Sequence, residues 1–208
     1  MRRALGKSHP RVVALDDGAF GRDDRTAPIA AVVVSMPGYV ESAGLSEVTV
    51  DGRDATDRIL ALLRAVSPPD GVRALLLDGA VVGGFNVVDL DAIHGVLGIP
   101  VVALTRRRPD FRRIEAALRK WFPRDAPRRL RLLRRHRLFR IPTSAAPLWG
   151  AAVGCSKPDA TWLVRRTTVR GLWPEPLRLA HLLASAAAVG SDRTLKGRGP
   201  RSTVGPVA

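Results

Sequence analysis

Short apolar runs alternate with amphipathic stretches along the chain. Residues 11–15 form an apolar run ending in Asp16-Asp17-Gly18. Residues 29–36 form a β-rich run closed by Pro37-Gly38, and residues 47–50 form a third that ends at Asp51-Gly52. Each predicts a strand. In residues 57–66, Ile59, Leu60, Leu63 and Val66 recur at helical spacing, and the Pro68-Pro69-Asp70-Gly71 segment breaks the helix they predict. Residues 72–77 are the most strand-like run in the chain and end at Asp78-Gly79. Further along, the pattern predicts helices over 86–97, 110–122 and 174–189, and strands over 101–104 and 162–169. In the 110–122 helix, Ile114, Ala117, Leu118 and Trp121 share one side.

Three strands without intervening helices predict an antiparallel meander, and the βα alternation that follows predicts parallel strands. The fold class expected is therefore α/β, a ribonuclease H-like mixed sheet flanked by helices, with the first strand central and beside the fourth. The domain expected covers residues 11–190. A basic flexible arm is expected over 1–10 and a disordered basic tail over 191–208.

The chain has 208 residues, 46% of them hydrophobic, enough for one domain with a sizeable core. It carries a formal charge of +15 and a pI near 11.6, almost all of it from arginine, which points to a polyanionic partner. A GC-rich genome explains the preference for Arg over Lys but not the scarcity of acids. No apolar run approaches bilayer length, and the N-terminus lacks a signal-peptide core. A soluble, cytoplasmic protein with no membrane partner is expected, as a monomer or weak homo-oligomer. The single cysteine, Cys155, excludes an intrachain disulfide and reads as structural.

Three predicted strands end in the same way, at Asp16-Asp17-Gly18, Asp51-Gly52 and Asp78-Gly79. One Asp-Gly pair marks a turn. Three at strand ends fit a site in the crevice of an α/β sheet, where converging carboxylates would repel one another unless a divalent cation joins them. Hard oxygen ligands favour Mg2+ or Mn2+. Asp16, Asp51 and Asp78 are therefore the expected catalytic and metal-binding set. Phosphodiester hydrolysis is the chemistry that such a site offers to a basic protein.

Other motifs fill in the site. Glu175, Arg178 and His181, spaced by three on the late helix, offer a metal-binding carboxylate, a phosphate-binding guanidinium and a proton carrier. Alternatively they form a solvated helix start. Gly83-Gly84-Phe85-Asn86 is either a substrate loop, with Phe85 stacking on a base and Asn86 capping the helix it opens, or a plain structural loop with the same cap. Arg106, Arg107 and Arg108, with the arginine-rich stretch 128–140 that includes Arg134 and Arg135, are expected to face the nucleic-acid backbone rather than merely solvent.

The pieces DDGAFG, VTVDGRDATDRI, LLLDGAVVGGFNVVDL, IPVVALTRRRPD and GLWPEPLRLAHLLASA, in this order over residues 11–190, resemble the endonuclease dU family. That family is distantly similar to endonuclease V. The resemblance implies a ribonuclease H-like fold and metal-dependent cleavage of DNA near deaminated bases such as deoxyuridine, a DNA-repair role. It implies that Asp16 and Asp78 take the places of the first- and fourth-strand catalytic aspartates. Asp51 stands where endonuclease V keeps a glutamate, and the Glu175–His181 region supplies a late metal or water-positioning residue. Asp17 and Asp54 are further candidates. An RNA endonuclease and a non-catalytic nucleic-acid-binding protein of the same fold are the alternatives.

Overall fold

The computed structural model describes residues 10–21, 23–66 and 71–189. The arm expected over 1–10 and the tail over 191–208 fall almost wholly outside these residues. Seven strands form one mixed sheet in the order β3-β2-β1-β4-β7-β9-β8. In it β1 (Arg11–Asp17), β2 (Thr26–Ser35) and β3 (Tyr39–Thr49) make the antiparallel meander. β4 (Val72–Asp78) then lies parallel to β1, and β7 (Val101–Thr105) parallel to β4. The first strand is central and beside the fourth, as the pattern of runs predicts.

Alternation along the central strands sends side chains to two faces. On one face Val13, Leu15, Leu75, Leu77, Val101 and Ala103 pack under α1 (Ala55–Val66) and α2 (Leu90–Leu97). On the other, Val12, Ala14, Ala74, Leu76, Val102 and Leu104 pack under α5 (Lys157–Thr167) and α6 (Glu175–Val189). Both faces are covered, so β1 and β4 are near-continuous apolar runs. That continuity is why they are legible without any alternation.

Several elements differ from the sequence pattern. β3 runs over eleven residues rather than four, because it is an edge strand that includes Ser42, Ala43 and Gly44, residues with little β signal. The expected helix over 86–97 starts late. A two-residue hairpin, β5 (Val81–Val82) with β6 (Asn86–Val87), comes first, and Asp89 is the N-cap, accepting from the amides of Asp91 and Ala92 at 3.1 Å. Residues 162–169, expected as a strand, belong to helix α5 and the turn after it. Ser156 caps α5, Pro158 sits in its first turn, and Ala160, Leu163, Val164 and Thr167 are buried at helical spacing. The β-branched Val164, Thr167, Thr168 and Val169 had outweighed that start signal.

The arginine-rich stretch forms α4 (Ala126–Arg134), antiparallel partner of α3 (Phe111–Trp121), and then β8 (Phe139–Ile141). β9 (Leu148–Val153) joins β8 to β7. The sequence pattern contains no prediction of β8 or β9. In β9 Gly150 lies close under Ile141, whose Cδ1 an added Cβ would meet at 2.9 Å. Packing against a neighbour selects that residue, and no local propensity announces it.

Leu76, fully buried between β1 and β7, tests this packing. Leu76→Ala should lower stability by about 2–5 kcal/mol in urea unfolding. A loss well under 1 kcal/mol would mean that this face is not close-packed.

Candidate active site

β1 and β4 run parallel with Leu15 beside Leu77, so the next residues, Asp16 and Asp78, emerge side by side at the strand ends. By alternation both point to the face covered by α6. There His181 meets Asp16, with Nδ1 2.8 Å from Oδ2. Asp16 is only 4% exposed. Its other oxygen accepts from the Asp17 amide at 2.8 Å. Gly79 turns the chain after Asp78 with φ 83°, a conformation that favours glycine, and its N–H donates to Leu104 O at 2.7 Å.

The electrostatics record the crowding. Burial, and then the charge of Asp16, push the Asp78 carboxyl up to about 8, against the pull of Arg106 and His181. Burial and Asp16 likewise push Asp17 up to about 6. Asp16 is raised by burial, opposed by its bond to His181. His181 is raised by that hydrogen bond, against burial. Arg106, from the end of β7, stacks over the Trp173 ring at 4.4 Å. Burial lowers its pKa, and the charges of Asp78 and Asp16 oppose this. The structure thus brings together Asp16, Asp17, Asp78, His181 and Arg106.

Other expected site residues stand elsewhere. Asp51 has a left-handed backbone, φ 55°, and its Oδ1 accepts from the Phe85 amide at 2.7 Å. Its N–H donates to Gly83 O at 2.8 Å, and the Gly83 N–H donates to Asp17 Oδ2 at 2.8 Å. Asp51 therefore holds the Gly83-Gly84-Phe85 loop, and that loop holds Asp17. A Cβ on Gly84 would collide with the Asp51 carboxylate. Asn86 is fully buried and caps α1 from a distance, its Oδ1 accepting from the Ala55 amide at 3.0 Å. It also donates to Asp54 at 2.6 Å. Burial would raise the Asp54 pKa, but this bond and those from Thr49 outweigh it and lower the pKa. Phe85 packs edge-on against Phe122, with ring centroids 6.0 Å apart.

On α6, Glu175 is bound by Arg178 at 2.8 and 2.5 Å, so of the expected trio only His181 reaches the aspartates. Arg134 pairs with Glu115 at 2.6 Å, and Arg135 with Asp91 at 3.1 Å. Arg107 and Arg108 are exposed, Arg108 over Trp149 at 5.2 Å. The half-buried Cys155 thiol is pushed up to about 11 by burial and Asp159, consistent with an inert role.

The sequence pattern places Arg129 among the basic outer positions of the 128–140 stretch, but the structure buries it. It is 4% exposed and donates to Asp125 at 2.7 Å, Phe85 O at 2.6 Å and Asp51 O at 2.7 Å, with Phe122 4.3 Å beneath. It clamps α4 to the loop that holds Asp17. Its one local signal is the i,i+4 spacing from Asp125.

Among the described residues, no three His, Cys, Asp or Glu side chains form a ready-made metal cage. Asp16 and Asp78 nevertheless suit a hard cation. Mg2+ keeps several waters and is usually bound through one or two carboxylates plus substrate phosphates. Two adjacent carboxylates with raised pKa values are chemically what a divalent charge would relieve.

This strand order, with carboxylates at the ends of the first and fourth strands, is that of a ribonuclease H-like fold, and comparison with known proteins agrees on the fold. A profile of the family described as Endonuclease dU matches residues 8–188, and the chain belongs to that family. A UPF0215 protein of Thermococcus gammatolerans is 41% identical over 191 residues, covering 89% of this chain and 96% of that protein. A structure from Archaeoglobus fulgidus superposes with a TM-score of 0.78 at 31% identity, covering 87% of this chain and 99% of that one. Endonuclease V of Ciona intestinalis, solved with a 23mer DNA containing an inosine followed by a ribo-adenosine, has the same fold. Its TM-score is 0.59 at 16% identity, covering 87% of this chain and 86% of that one. Among the described residues no helix is long and apolar enough to cross a membrane.

Asp78 and Asp17 have folded-state pKa values above the ordinary 3.8, so the folded protein binds more protons between about pH 4 and pH 8. Their contribution is full below pH 4 and is lost as pH rises through 6 and then 8; His181 acts in the same direction. Metal-free stability should therefore fall across this window. Asp78→Asn should unfold at least about 3 °C above wild type at pH 8.5, with no gap at pH 4. Thermal melts in chelator check this, and equal midpoints at pH 8.5 would remove the charge crowding from the account. Separately, Arg129→Leu should cost about 3–5 kcal/mol in urea unfolding, because Asp125 loses its buried partner.

Proposed function

We propose that the protein is a metal-dependent endonuclease that hydrolyses phosphodiester bonds in DNA, near deaminated bases such as deoxyuridine. The observation that carries this reading is the juxtaposition of Asp16 and Asp78, at the ends of the central parallel strands, with His181 of α6 in a strongly basic chain. Membership of a family described as an endonuclease, and a fold shared with endonuclease V, support it. The DNA and inosine of the Ciona intestinalis complex supply the analogy for the substrate.

Asp16 and Asp78 would hold Mg2+ or Mn2+. When bound, the cation activates water and neutralises charge on the phosphate. His181 orients Asp16 through Nδ1, which leaves Nε2 to exchange a proton with the reacting groups. Arg106 adds a cation beside the carboxylates for the scissile phosphate. Asp17, fixed by the Gly83 amide, sets the position of the loop beside the site. Asp51 and Asp54 contribute by holding the strand ends and that loop, and Glu175 by orienting Arg178 toward a phosphate.

The test is cleavage of labelled DNA duplexes containing uracil, hypoxanthine or no lesion, with a matched RNA series, in Mg2+ or Mn2+ and then in chelator. Chelator-sensitive nicking near uracil is expected. Asp78→Asn should abolish it while DNA binding persists, and His181→Ala should slow it by about 10²–10⁴-fold. Cleavage of RNA alone would reassign the substrate. Undiminished cutting by Asp78→Asn would place the site elsewhere.

A further inference from the structure

The apolar stripe of α3 is not fully covered. Leu118 is completely buried, but Trp121, on the same side of the helix, is 67% exposed. It ends α3 at the tip of the α3–α4 hairpin, and the Lys120 ammonium lies 4.8 Å from its ring centroid. A single exposed apolar residue needs no occupant, but an exposed indole beside cations offers a π-face on which a planar ring can stack.

Charge narrows the choice. Residues 106–140 carry fifteen Arg and Lys against three Asp and Glu, a net +12 of the chain's +15. Each of those acids already has an arginine: Asp110 pairs with Arg113, Glu115 bridges Arg119 and Arg134, and Asp125 holds Arg53 and Arg129. Arg135 pairs outside this stretch, with Asp91 and Asp89, and the excess that remains attracts an external anion. A groove along α4 is lined by Arg128, Arg131, Arg134 and Arg135, with Asp89 beside them. The hairpin is also anchored, because Arg129 ties α4 to Asp51 and Phe85, and Gly83 in that loop holds Asp17.

We propose that the α3–α4 hairpin is a second contact for the substrate strand, in which the α4 groove holds the phosphodiester backbone and the Trp121 indole stacks on an unpaired base. An aromatic face among cations is how proteins grip single-stranded nucleic acid, since every base offers a π-face to the ring and a phosphate to the cations. The hairpin thus favours a nucleic acid that presents an unpaired stretch. This rests on the nucleic-acid reading above but not on cleavage.

The experiment measures binding of the full chain, in chelator, to labelled single-stranded and matched duplex DNA by fluorescence anisotropy. Trp121→Ala should weaken single-strand binding about tenfold and duplex binding less than twofold, and Trp121→Phe should restore most of the loss. Arg131→Glu should weaken both and flatten their salt dependence. Unchanged single-strand affinity in a folded Trp121→Ala protein would overturn the proposal. So would a Trp121→Ala effect confined to oligomeric state in sedimentation, which would make the tip an interface between copies. Wild type that binds both DNAs but cuts nothing would defeat the nuclease reading and leave this one standing.

Discussion

Two carboxylates forced side by side are the constraint on which the rest of the site depends. Parallel pairing of β1 with β4 puts Asp16 next to Asp78 whatever the surroundings do, and burial beneath α6 strengthens their repulsion. The fold answers with His181, brought from the far end of the chain, and Arg106 from the end of β7. Neither cancels the crowding, since the Asp78 carboxyl still stands near 8. A group held so far from its solution behaviour is more costly than a structural role warrants, and such groups cluster at functional sites.

Asp17 shows how the surroundings are kept rigid. It bonds the Gly83 amide, Gly83 bonds Asp51, Asp51 bonds Phe85, and Arg129 closes the ring from α4. The left-handed backbone at Asp51 is strained for a residue with a side chain, and it persists because three hydrogen bonds determine it. A buried arginine with each of its three nitrogens engaged is a specifying device, since loss of its Asp125 partner would leave a desolvated charge. It makes the basic hairpin and the acidic site parts of one rigid body.

The charge is also separated in space. The acids that matter are sequestered at the sheet ends, and the arginines gather on α3, α4 and the turn after β7. In the proposed reading a polyanion would be drawn to the second region and delivered to the first, where a cation would make the carboxylates tolerable neighbours of a phosphate.

The sequence by itself determined the central strands, the positions of Asp16 and Asp78 at their ends, the basic balance and the family, because apolar runs and turn residues are local signals. His181 was legible as a candidate but not its partner. Its distance from Asp16 along the chain, 165 residues, is spanned only by packing α6 on the sheet. Tertiary structure alone decided that Asp51 and Asn86 act as braces, that Arg129 is buried while its neighbours are not, and that Trp121 is left in water. It also made strands of Phe139–Ile141 and Leu148–Val153, where the Ile141 side chain lies against Gly150. In each case the deciding force is contact between segments far apart in the chain, to which local propensity is blind.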